Sequence, residues 1–110
     1  MHITTKGGSV TQKKYATSMA EFCGDKLLGT RLYPKVSVEI QFVKNLLKKE
    51  EIYGDAEWMD DDRRPKEFTI RVDGSQPLRR MLETVAHEMV HVKQYAKDEL
   101  HEYTQKKGHR

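Results

Sequence analysis

Residues 84–95 read TVAHEMVHVKQY, with a glutamate directly after the first of two histidines four positions apart. On an α-helix such positions lie one above the other on one face, about 6 Å apart along the axis. His87 and His91 can therefore turn two imidazoles toward a single tetrahedral ion. Zinc suits them, binding nitrogen at about 2.0–2.1 Å with no redox chemistry of its own. Glu88 lies ~60–100° round the helix from both, poorly placed as a third ligand but able to reach a water beside the ion. Zinc polarises a carbonyl and brings the pKa of a bound water to about 7. A neighbouring carboxylate takes that water's proton during attack and passes it to the leaving amine. The spacing thus points to a hydrolase, with His87 and His91 as metal ligands, Glu88 as catalytic base and one zinc ion as cofactor.

The bland reading is a pair of exposed helix histidines. With five histidines and ten glutamates in 110 residues, the pattern arises by chance in roughly two such chains per hundred, which favours the metal. The helix wheel is neutral. At about 100° per residue, both histidines point ~130–170° from the centre of the apolar stripe, as they would on a groove floor or on a solvated face.

Hydrophobic spacing gives the elements that must position them. Leu78, Met81, Leu82, Val85, Met89, Val92 and Ala96 form one stripe, predicting a helix over residues 76–97. It is entered through DGSQP, with Ser75 or Asp73 as the cap and Pro77 in the first turn. Upstream, SVTQ has capping-box form, Ser9 being the N-cap and Gln12 reaching back. Tyr15, Met19, Phe22, Cys23 and Leu27 recur at helical spacing as far as Gly29, a natural stop, so a first helix is expected over residues 9–28. After Pro34, Val36, Val38, Ile40 and Phe42 alternate with polar residues as in a half-buried strand. KNLLKKEE is ambiguous between a helical turn and a loop. Strands near residues 52–59 and 66–73, separated by the turn chemistry of DDDRRP, read as a hairpin. Residues 1–8 read as a loose or pairing tail, and residues 98–110 mostly as loop. The expected class is α+β: an N-terminal helix, a small three-stranded, mainly antiparallel sheet with a hairpin, then the helix carrying HEMVH.

At 110 residues the chain reads as one domain with a single modest core. No apolar run reaches the length of a membrane span, and MHITTKGGSV lacks the apolar region of a secretory leader. Cys23 is the only cysteine, which excludes an intrachain disulfide and a cysteine-rich zinc site, so a reducing, cytoplasmic setting is expected. It reads as a small core residue, and Trp58 as a core or sheet-face anchor. Tyr95 and Tyr103 could donate to an oxyanion, although ordinary packing is the commoner role. A net charge of +3 and a pI of about 9.0 are a weak hint of an anionic partner, outweighed by a solvated mixed-charge surface. Lys93, Lys97, Lys106, Lys107 and Arg110 are diluted by Asp98, Glu99 and Glu102, so no nucleic-acid patch is read there.

TVAHEMVH, preceded by a helix, a strand and a hairpin, resembles the SprT-like zinc metallopeptidases, and among them the short versions carried by tailed bacteriophages. The resemblance covers roughly residues 10–97 and is most specific at 84–95. It implies a zincin-like fold and a zinc metalloendopeptidase acting on a protein or peptide in the cytoplasm, that of the host for a phage-encoded chain. It also implies His87 and His91 as ligands and Glu88 as base. An extended peptide would lie along the hairpin strand near Phe68 and Val72 by strand addition. By analogy with cellular relatives that cut proteins crosslinked to DNA, some association with DNA is implied.

Such an enzyme needs a third protein ligand downstream. The long metzincin pattern is not met, because Gln94 stands where its glycine would be and Lys97 where its histidine would be. His109 in KKGHR, eighteen positions past His91, is one candidate; a residue in a further C-terminal segment is the other, and the favoured one. His101 is nearer but cannot fold back if the helix continues. The alternative to an enzyme is a non-catalytic zincin-like module that docks on DNA or a protein partner. A base beside the metal has no use in a purely binding domain, which favours the peptidase.

Overall fold

Residues 1–60 and 64–99 are described by the computed structural model. Strand β1 (His2–Lys6) leads through helix α1 (Val10–Leu32) and a 3-10 turn (Tyr33–Lys35) to strand β2 (Ser37–Val43). A short helix α2 (Leu46–Glu50), strands β3 (Gly54–Trp58) and β4 (Glu67–Asp73), and helix α3 (Leu78–Ala96) follow. The strands form one mixed sheet in the order β1-β2-β4-β3. Both β1 and β4 run parallel to β2, and β3 alone is antiparallel, pairing with β4.

The α+β class and the hairpin stand, but the expected three-stranded, mainly antiparallel sheet does not. The extra strand comes from HITTK, so of the two readings of residues 1–8, loose or pairing tail, the pairing one holds. Ile3 and Thr5 pair in register with Val38 and Ile40, and Ile3 packs against the core. A helix between two strands of one sheet carries the chain back to its starting side, so β2 returns parallel to β1.

The capping box at the start of α1 is complete: Gln12 N donates to Ser9 Oγ at 3.1 Å, and Ser9 N to Gln12 Oε1 at 2.8 Å. Gly29, with φ 81°, breaks the helical path where the stop was expected, and residues 30–32 turn as a separate piece. The face of α1 that meets the core is not the expected one. Ala16, Ala20, Gly24 and Leu28 are buried, whereas Tyr15 and Phe22 are 45% and 61% exposed. Small residues let the helix lie close: a Cβ on Gly24 would come within 2.7 Å of Met1 Cε.

One face of the sheet carries the core. Val38 and Ile40 of β2, Ile70 and Val72 of β4, and Met81, Val85, Met89 and Val92 of α3 are at most 1% exposed. On the opposite, polar face Arg71 of β4 donates to Asp55 of β3 at 2.9 Å and to Glu50 of α2 at 3.0 and 3.1 Å. Asp55 first and Glu50 second hold its pKa above the usual arginine range.

Neither expected cap serves α3. Asp73 accepts from Leu47 N at 3.0 Å and from Ser75 N at 2.8 Å, and Ser75 Oγ accepts from Asn45 N at 3.0 Å. Both side chains hold the start of α2, which resolves the ambiguous KNLLKKEE as a short helix. Pro77 itself takes the N-cap position of α3, where its missing N–H costs nothing.

Candidate metal centre

Along α3, Met81, Val85, Glu88, Val92 and Tyr95 recur at alternating spacings of four and three, and all are buried. Glu88 thus occupies a position in the core stripe, with a side chain only 3% exposed. The sequence reading set it ~60–100° round the helix from the histidines without assigning it to the core. A carboxylate is almost never buried this deeply unless it is paired, and Glu88 has a partner. The histidines follow on the neighbouring shoulder of the helix, His87 exposed and His91 half-buried.

Their ring centroids are 5.0 Å apart, with planes at 81°. Two imidazoles that share a tetrahedral ion at ~2.0–2.1 Å have centroids about 5 Å apart, so the spacing suits one divalent ion. Gln94 Oε1 lies 3.0 Å from His91 Nδ1. An amide oxygen only accepts, so this contact suits the tautomer that carries its proton on Nδ1 and turns the Nε2 lone pair to an ion. Outer partners of this kind orient a ligating ring and raise its basicity. Tyr95 stacks on His91 at 6.4 Å between centroids, and Trp58, at the end of β3, meets Tyr95 edge-on at 4.8 Å. Trp58 is the expected sheet-face anchor, and Tyr95, 5% exposed, is a packing residue that braces a candidate ligand.

His87, Glu88 and Thr84 of α3 face Tyr53 and Gly54 across a groove of about 340 Å³. Gly54 sets how close the two walls come. A Cβ there would lie 2.6 Å from both Arg71 O and Thr84 Cγ2, so only glycine lets the helix press against the strand.

Asp73 N donates to Tyr53 O at 2.8 Å and Met59 N to Glu67 O at 2.7 Å. With the register of β3 against β4, the main-chain groups of Asp55 and Glu57 also point to β4, and those of Gly54, Ala56 and Trp58 point to the outer edge. The peptide-holding edge was expected near Phe68 and Val72. That segment is β4, which has β2 on one side and β3 on the other. The hairpin adds its first strand outside its second, so the edge beside the histidines is β3.

Among the described residues no group of three His, Cys, Asp or Glu gathers as a metal site. His101 and His109, weighed as a third ligand, lie outside the described residues, as do Tyr103, Lys106, Lys107 and Arg110. Cys23 sits 3.8 Å from Met19 Sδ, and burial pushes its thiol pKa up, as for a core cysteine rather than a nucleophile. Sequence reasoning missed Gln94 and the aromatic brace. The signal was present, since a residue three positions past a helical histidine lies beside it. No protein-family model, curated protein or solved structure matches the chain. Among the described residues no helix is long and apolar enough to cross a membrane.

Proposed function

We propose that the chain is a zinc-dependent endopeptidase of the SprT-like, zincin type, with His87 and His91 holding one zinc ion and Glu88 as general base. The observation that carries this reading is the histidine pair, 5.0 Å apart, with His91 Nδ1 committed to Gln94. When bound, zinc supplies Lewis acidity toward the peptide carbonyl and lowers the pKa of a water. Glu88, lining the groove, takes the proton of the attacking water. A C–O bond forms, the peptide C–N bond breaks, and Glu88 returns the proton to the departing amine. The outward main-chain groups of β3 hold a protein or peptide substrate extended by strand addition. The third ligand is His109 or a residue in a further C-terminal segment. The order of strand, helix, strand, edge hairpin and HEMVH helix supports the SprT-like part of the proposal.

Zinc content and cleavage of an unfolded protein test it together. Glu88→Gln is expected to keep its zinc and lose about 10²- to 10⁴-fold in kcat, and a chelator to abolish cleavage. One zinc per chain without cleavage of any unfolded protein overturns the peptidase and leaves a binding module for DNA or a protein.

A further inference from the structure

We propose that a second cavity, at the C-terminal ends of α1 and α3, binds the phosphate of a nucleotide, either free or within a strand. Both helices run back against the parallel strands, so their last turns meet the beginnings of β2 and β4 at one end of the molecule. There they enclose about 450 Å³. Five cationic side chains line it, Arg31, Lys35, Arg64, Lys66 and Lys97, and no acidic residue does so among the described residues. Leu28, Leu32 and Ala96 supply apolar surface. Gly29 shapes one wall: its left-handed φ of 81° turns Thr30, Arg31 and Leu32 off the axis of α1 and across the opening.

Arg64 has a partner, which leaves the charge of the other four cations to account for. Arg31 and Lys97 sit at helix C-termini, whose partial charge of roughly −0.5 each offsets about one of the four. No ion pair among the described residues engages Arg31, Lys35, Lys66 or Lys97. Of the nearby described acids, Asp60 accepts from the amides of Lys66 and Glu67, Glu99 pairs with Lys93 at 2.9 Å, and Asp98 is engaged as well. A concave surface of one sign focuses its field and concentrates counter-ions. A carboxylate could engage one or two of these cations, whereas a phosphate offers more charge and more acceptor oxygens to several. The apolar lining suits the base or sugar attached to it. Lys97 lies six residues past His91, about 9 Å along the axis, so this site is separate from the histidine pair and does not rest on the peptidase reading.

The test is a binding titration of the full chain at low salt, with a nucleoside diphosphate and with a labelled single-stranded oligonucleotide. Lys35→Glu combined with Lys66→Glu is expected to weaken binding at least tenfold, and Lys13→Glu with Lys14→Glu, exposed elsewhere on α1, less than twofold. The milder Lys35→Gln with Lys66→Gln is expected to lower affinity in the same order and to flatten the salt dependence by about one unit of slope per lost contact. Tight binding of the diphosphate assigns the cavity to a free nucleotide; tight binding of the oligonucleotide alone assigns it to a strand. Binding of neither at low salt, or equal losses in the cavity and control pairs, overturns the proposal.

Discussion

An imidazole serves as a metal ligand only when one nitrogen is unprotonated and aimed. At His91 the group that favours both conditions is Gln94, whose amide oxygen lies 3.0 Å from Nδ1 and can accept a hydrogen bond from it. Gln94→Ala is therefore expected to weaken zinc binding about 10- to 100-fold without loss of helix, measured by competition with a chromophoric chelator. Gln94→Glu, which keeps an acceptor, should bind at least as tightly as the parent. Equal affinities for the alanine variant and the parent would show that the amide does not orient the ring. The two histidines and the glutamate were legible in the sequence because a four-residue spacing has one meaning on a helix. The inward position of Glu88 was less so. The wheel was drawn from the apolar residues alone and placed only the histidines against them. The spacing of Met81, Val85, Glu88, Val92 and Tyr95 carried the signal.

At the scale of elements, the candidate site depends on α3 lying close to an edge strand, and one glycine permits it. Gly54→Ala would set a Cβ 2.6 Å from the carbonyl oxygen of Arg71, a backbone atom that cannot swing away. Overpacking of this kind costs about 1–3 kcal/mol, to be read as a lowered urea midpoint. Neither outcome for stability touches the edge itself, which peptide chemistry probes directly. If substrate is held by the main-chain groups of Gly54, Ala56 and Trp58, a competitor peptide methylated at alternate amide nitrogens should inhibit at least tenfold more weakly than its parent, through lost hydrogen bonds. Equal inhibition by both would remove strand addition. The two hairpin strands were legible from their alternation and the turn between them. Which of them is the edge was not, since that depends on β2 pairing with β4, a contact between distant segments that no local pattern encodes. The face of α1 was misread for a related reason: close packing selects Ala16, Ala20 and Gly24, and leaves Tyr15 and Phe22 outside.

Across the whole molecule the sheet has two edges with opposite duties. On one, β3 lies beside the histidines; on the other, β1 covers β2. The hydrophobic pattern of β2 was plain in the sequence, but HITTK is so short and polar that its pairing was legible only as one of two alternatives. Met1 and Ile3 pack against the core, and five residues of β1 pair with β2. Removing residues 1–6 would strip two partly buried side chains and leave β2, with Val38, Ile40 and Phe42, as a bare edge. We expect a loss of about 2–3 kcal/mol from apolar burial, seen in urea unfolding, and aggregation on warming as exposed edges pair. Zinc affinity should stay within twofold of the parent, because α3 and β3 keep their contacts on the far side of the sheet. Unchanged stability would deny β1 its structural duty. Zinc affinity lost in proportion to stability would mean that the two edges are not independent, and that the candidate site is held by the whole sheet rather than by α3 and β3.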